Sequence, residues 1–223
     1  MKVGTDGVLL GAWAFDDVKP EDVASVLDVG CGTGLLSLMM AQRFDKARVS
    51  AIDIDQAAAD EALYNFSSSN WSERLYAECC GLEEFSPDGV FDAIICNPPF
   101  FTSGELSPDK ERSVARHETS LTLELLLGRC SSLLSERGRM AIVTAAENCE
   151  RINFIAALNH LAVIRLCHVY TKETKPSRRI LCELCRAGES AVPMRSEQLV
   201  IHDRGGVFSK EYIRLVSPFY IKF

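Results

Sequence analysis

A chain of 223 residues is long enough for one large domain or two small ones, and at that length it can bury about 70% of its unfolded surface without disulfide or metal staples. With 47% hydrophobic and 25% charged residues, 14 glycines and 8 prolines, it is not collagen, low-complexity disorder or coiled coil. Lys and Arg number 24 against 31 Asp and Glu, a formal net charge of −7, so any contact with nucleic acid must be local, a cationic patch on an acidic body.

In chain order, β-rich runs alternate with helical patterns. Residues 24–29 (ASVLDV) form an apolar run between turn residues and predict a buried strand; 34–44 (GLLSLMMAQRF) follows as a helix. A second strand is predicted over 48–54 and an Ala-rich helix over 56–65. Residues 74–79 read as a weaker strand and 91–96 (FDAIIC) as a strong one, stopped by Asn97-Pro98-Pro99. A helix over 121–134, ended by the Gly138 region, leads to a strand at 139–144 and a helix at 147–161. Two further strands, 162–170 and 179–186, flank the polar loop TKETKPSR, and the tail from 199 onward predicts a short strand and helix at the sheet edge. Strand–helix alternation implies an α/β fold with a doubly wound, mostly parallel sheet, here of seven strands. The strands flanking the short polar loop must pair antiparallel, because a parallel crossover needs a dozen or more residues. No linker or repeat divides the chain, so residues 1–223 are expected to form one domain.

Nine cysteines, mostly inside apolar runs, read as reduced buried thiols of a cytosolic protein. The lone CxxC, Cys182 to Cys185, has neither a second pair nor a histidine at ligand spacing, so no metal is expected. With no apolar run near ~20 residues and no signal peptide, the expected location is the cytoplasm.

Residues 27–34 (LDVGCGTG) place Gly30, Gly32 and Gly34 between a strand and a helix, where the backbone turns tightly and helix N–H groups face a ligand. The spacing is GxGxG, not the GxGxxG of pyrophosphate binders. Asp53, at the tip of the next strand, can accept hydrogen bonds from both hydroxyls of a ribose. Asp28 can receive the ammonium of an amino-acid moiety, whereas Asp55 reads as an ordinary acid at a helix N-terminus. LDVGCGTG followed by AIDID resembles the S-adenosylmethionine site of class I methyltransferases. The resemblance implies that the glycine loop holds the methionyl part and Asp53 the ribose. It also implies an acid after the third strand, beside the adenine. Gly81 stands there instead, leaving Leu82 to pack on that ring.

Asn97-Pro98-Pro99-Phe100 closes the fourth strand at the carboxyl edge, where open α/β sheets bind ligands. The Asn97 amide oxygen and the Pro98 carbonyl can grip both hydrogens of a planar NH₂ group. An adenine amino nitrogen is a poor nucleophile because its lone pair is delocalised into the ring. Two acceptors favour the pyramidal form whose lone pair faces the sulfonium methyl, which is catalysis by positioning and electrostatics without a general base. Phe100 would stack on the base, worth ~1–3 kcal/mol, about what presenting an extruded base costs. In this setting NPPF resembles the signature of enzymes that methylate amino groups on planar carbons.

The segments MKVGTDGVLLGAWA, SVARHETSLTLELLL, KETKPSRRILCEL and FSKEYIRLVSPFYIKF resemble the bacterial methyltransferases that modify adenine 37 of a valine tRNA, across essentially the whole chain. That resemblance implies a tRNA partner, S-adenosylmethionine as cofactor, and Lys2, Thr5 and Asp6 beside it. Read from the residues alone, Thr5 or Asp6 can equally cap a helix beginning near Gly7. Members of the family usually carry an aromatic-rich segment before the MKVGTD motif, where this chain starts. Arg116, with His117 next to it, and the cationic loop of Lys172, Lys175, Arg178 and Arg179 are expected to contact RNA phosphates, or else to be solvated loop charge. His160, His168 and His202 read as structural or surface residues. The other readings are an amino-methyltransferase acting on rRNA or a protein glutamine, and an inactive RNA- or nucleotide-binding module. Only 26 residues precede Leu27, too few for the helical substrate domain of glutamine enzymes, and an intact Asn97-to-Phe100 clamp is superfluous in a binding module.

Overall fold

The computed structural model describes residues 4–98, 121–188 and 193–220. Its centre is a sheet of eight strands in the order β3-β2-β1-β4-β5-β7-β6-β8. They are β1 (Ser25–Val29), β2 (Arg48–Asp53), β3 (Leu75–Cys79), β4 (Phe91–Cys96), β5 (Leu134–Ala145), β6 (Leu161–Lys172), β7 (Arg179–Arg186) and β8 (Arg195–His202). The first five run parallel; β7 is antiparallel to both β5 and β6, and β8 is parallel to β6. The antiparallel pairing across the polar loop is as expected. The sheet has eight strands against the seven expected: the short edge strand expected in the tail from 199 onward begins at Arg195 and joins β6 as a full eighth strand.

Alternation along the strands separates two apolar clusters on the two faces. Val26, Val49, Ala93, Ile95 and Val143 face α1 (Thr5–Trp13), α2 (Leu35–Arg43) and, through Tyr212 and Val216, the C-terminal helix α6 (Lys210–Val216). Leu27, Ile52, Ile94, Met140 and Ile142 face α4 (Leu123–Leu133) and α5 (Cys149–Leu158). The remaining helix, α3 (Gln56–Ser67), lies against β3 and β2. Burial on both faces explains why the central strands read as unbroken apolar runs.

One local expectation changes, and one buried acid stands out. Gly138 does not end a helix: α4 stops at Leu133, β5 begins at once, and Gly138 sits where its register against β4 shifts. A Cβ there would stand 2.7 Å from the Phe91 carbonyl oxygen, so the glycine serves close strand approach. Glu183, in the middle of an apolar strand, is fully buried; it accepts from the Phe15 amide at 2.8 Å and pairs with Arg165 at 3.3 Å and Arg139 at 3.4 Å. These partners bind the α1 exit to β5, β6 and β7.

Candidate cofactor and amino-group site

All parallel strands end at one edge, and the loops there are stitched in order. The Gly30 and Cys31 amides donate to the Ile52 carbonyl at 2.8 and 3.0 Å, and the Cys80 amide donates to the Asp53 carbonyl at 2.9 Å. Gly30, Gly32 and Gly34 all have positive φ, +69°, +54° and +80°, a conformation that glycine alone adopts freely. Among the described residues a Cβ on Gly30 would meet nothing within 4 Å, whereas one on Gly34 would stand against the Phe66 ring of α3. Gly30 therefore borders open space and Gly34 serves helix packing.

Asp28 is fully buried under this loop. Its Oδ2 accepts from the Ser37 amide at 2.9 Å and the Ser37 hydroxyl at 2.6 Å. α2 starts from Gly34, which has no side chain to cap it, so Asp28 supplies that cap from the neighbouring strand. Its Oδ1 is buried with no partner among the described residues, and burial, offset in part by Ser37, raises the carboxyl pKa to about 7. Asp53 accepts from the Gly32 amide at 2.8 Å and the Asp55 amide at 3.0 Å, which shapes the loop and leaves lone pairs for further donors. Asp55 caps α3 through the Ala57 amide at 3.0 Å, as expected.

An open cradle at Gly30, an orphaned acceptor beneath the loop and a carboxylate at the β2 tip fit a ligand with an amino-acid end and a ribose. On the adenine side, Leu82 is 5% exposed and belongs to the apolar cluster beneath α4, while Arg129 donates to the carbonyls of Leu82 and Phe85, at 3.3 and 2.8 Å, and closes that turn. Ile54 is the apolar side chain left at the rim, 48% exposed and 3.7 Å from where a Cβ on Gly81 would stand. Its signal in the sequence was an apolar residue between two acids, in step with Ile52 but one place beyond the end of β2.

Asn97 and Pro98 follow β4 at the same edge, next to α1: the Asn97 Nδ2 lies 3.4 Å from where a Cβ on Gly7 would stand. Thr5 and Asp6 form the first turn of α1, whose N-cap is Gly4 with no side-chain cap bond, so neither caps it. Asp6 instead pairs with Arg179 Nε at 3.0 Å. The register Ala145↔Arg179↔Val169 carries Lys172, Lys175, Arg178 and Arg179 to this edge, and the Ala146 amide donates to the Arg178 carbonyl at 3.2 Å, holding their loop above β5. Lys2, Phe100, Arg116 and His117 lie outside the described residues.

All nine cysteines are free; burial pushes Cys130 and Cys167 up to about 12, so these thiols stay protonated. Among the described residues no three His, Cys, Asp or Glu side chains cluster as a metal site requires, and no helix is long and apolar enough to cross a membrane.

Comparison with known proteins agrees with this geometry. Residues 15–165 match the family model "Methyltransferase small domain". A tRNA1(Val) (adenine(37)-N6)-methyltransferase of Porphyromonas gingivalis is 42% identical over 227 residues, covering 99% of this chain and 89% of the relative. One of Vibrio parahaemolyticus is 39% identical over 222 residues, covering 100% and 90%. The fold matches a crystal structure of a predicted O-methyltransferase from Agrobacterium tumefaciens at a TM-score of 0.74, with 17% identity and 95% of each chain covered. The chain belongs to the family of tRNA1(Val) (adenine(37)-N6)-methyltransferases, built on a methyltransferase small domain.

Proposed function

We propose that this protein, acting as one domain in the cytoplasm, methylates the 6-amino group of adenine 37 in tRNA1(Val). S-adenosylmethionine, when bound, supplies an electrophilic methyl group on a sulfonium. The carrying observation is that Asn97 and Pro98 close β4 at the edge where the glycine loop borders open space beside β1. Gly30 and its loop admit the methionyl end, Asp28 Oδ1 offers the buried acceptor for its ammonium, Asp53 takes the ribose hydroxyls, and Ile54 covers one side of the adenine. Thr5 and Asp6 border the same space from α1. Asn97 Oδ1 and the Pro98 carbonyl accept the two N–H bonds of the target amine, turning its lone pair toward the methyl carbon. No side chain need take a proton first, since the nitrogen becomes strongly acidic only once the new C–N bond forms. Lys172, Lys175 and Arg178 contact phosphates, and Arg179 does so while tied to Asp6.

The test is incubation with labelled S-adenosylmethionine and tRNA lacking the modification, followed by digestion to nucleosides. Label should appear in N-methylated adenosine at position 37 of tRNA1(Val). Label on another RNA or on a protein glutamine, with none there, would overturn the assignment.

A further inference from the structure

We propose that Glu84 is the acceptor for the exocyclic amino group of the cofactor's adenine, standing in for the acid that position 81 lacks and making the site selective for a 6-amino purine over a 6-oxo one. This rests on the reading of the site as one for S-adenosylmethionine.

β3 ends at Cys79, in register with Asp53, and the Cys80 amide donates to the Asp53 carbonyl at 2.9 Å. The chain leaving β3 therefore starts beside the carboxylate assigned to the ribose. It turns back at once: the Glu84 and Phe85 amides both donate to the Gly81 carbonyl, at 3.1 and 3.0 Å. Leu82 and Phe85 anchor the turn in the apolar cluster beneath α4, and Arg129 of that helix holds both their carbonyls. Glu84 is exposed, and the turn lays its carboxylate back over Gly81. Its Oε2 lies 4.0 Å from where a Cβ on that glycine would stand, with Ile54 Cγ2 3.7 Å from the same point. Apart from the chain neighbours, nothing else among the described residues comes within 4 Å of it, and none of them donates a hydrogen bond to the Glu84 carboxylate.

An acid at position 81 would carry its carboxylate out from that same point, so Glu84 delivers, from three places further on, the charge that the glycine cannot. The two solutions exclude each other, since carboxylates from both positions would crowd like charges into one corner. Ile54 offers an apolar contact for a ring face and Glu84 an acceptor for a ring edge, which together suit a purine carried by a ribose on Asp53. The 6-amino group of adenine donates hydrogen bonds, and an ionised carboxylate only accepts them. A 6-oxo purine turns a carbonyl oxygen toward the same carboxylate and is repelled. Leaving such a group without its counterpart is what gives a polar site its discrimination. Because backbone bonds and the buried Leu82 and Phe85 fix the turn in advance, little loop freedom is lost when the base arrives.

The test uses the full chain and measures, by calorimetric titration, the Kd for the demethylated cofactor S-adenosylhomocysteine and for its 6-oxo counterpart S-inosylhomocysteine. The parent should prefer the amino ligand at least about tenfold. Glu84→Ala should weaken S-adenosylhomocysteine about tenfold, equivalent to ~1.4 kcal/mol and about what a hydrogen bond to a charged group contributes in a partly exposed site. It should also narrow the preference to within about threefold. Glu83→Ala removes the same charge from the next residue and should leave both constants within about twofold. Gly81 has no left-handed φ, so an L-residue is tolerated there, and Gly81→Asp on the Glu84→Ala background should return both affinity and preference. Parental affinity and preference in Glu84→Ala overturn the assignment. So does a loss shared equally by the two ligands, which a residue serving only the turn would give. A parent protein that binds neither S-adenosylmethionine nor S-adenosylhomocysteine would instead overturn the underlying function, so the two failures are distinct.

Discussion

Gly34 and Gly30 both hold left-handed backbone, at φ +80° and +69°, yet alanine at each should fail for a different reason. A Cβ on Gly34 would stand against the Phe66 ring, 2.9 Å from its Cζ, and 3.3 Å from Ala62 Cβ. The left-handed conformation costs an L-residue ~1–2 kcal/mol and a methyl forced into packed side chains a further ~1–3. Gly34→Ala should therefore lose about 2–5 kcal/mol out of the ~5–15 that hold a typical domain. In a double-mutant cycle with Phe66→Leu, the packing part should reappear as a coupling of ~1–3 kcal/mol while the conformational part remains. Gly30 has nothing among the described residues within 4 Å of that position, so alanine there should cost only the conformational ~1–2 kcal/mol. Its methyl would, however, enter the space assigned to the methionyl group and weaken S-adenosylmethionine tenfold or more. Urea unfolding at constant slope reads the first quantity, and calorimetric titration of the cofactor reads the second. Equal destabilisation by the two alanines, or parental cofactor affinity in Gly30→Ala, would refute this division of roles.

Other expectations follow from the same geometry. Asn97→Ala should abolish methyl transfer, a loss of at least a hundredfold in kcat, while cofactor affinity stays within a few fold; persistent turnover would dispose of the amino-group clamp. Asp28 titrates near 7 in the fold against 3.8 for the free acid, so between these values the native state holds a proton that the unfolded chain has released. Stability should fall as pH rises through that window, by ~2–3 kcal/mol from pH 5 to 8. Asp28→Asn should remove that slope, and superimposable pH profiles of the two proteins in chemical denaturation would count against it. Arg178→Glu should weaken tRNA binding and flatten its salt dependence by about one to two units. At Arg179 the same reversal would face Asp6, which now lies 3.0 Å from its Nε. Arg178 is therefore the cleaner probe, and an unchanged salt slope there would remove it from the RNA contact.

What could be read in advance was what neighbouring residues encode. Strand 91–96 and strand 179–186 fall within the observed bounds because apolar runs and their Asn-Pro and polar-loop stops are local. So is the cap at Asp55. The end of α4 was misplaced because Gly138 acts through its approach to the Phe91 backbone, not as a helix stop. That Leu82 joins the apolar cluster beneath α4, with Arg129 from 47 positions away on its carbonyl, is a contact no neighbouring residue encodes.

The sequence by itself determined the order of strand, glycine loop, helix, strand and acid, and the placing of Asn97 and Pro98 at a strand end, since backbone propensity and periodicity need only adjacent residues. The tertiary structure alone decided that Asp28 is spent in part on capping α2, that Gly30 faces open space while Gly34 meets Phe66, and that Asp6 holds Arg179 across 173 positions. It also set β8 along the β6 edge. These depend on strand order and register, which bring together groups whose separation along the chain carries no trace of their contact.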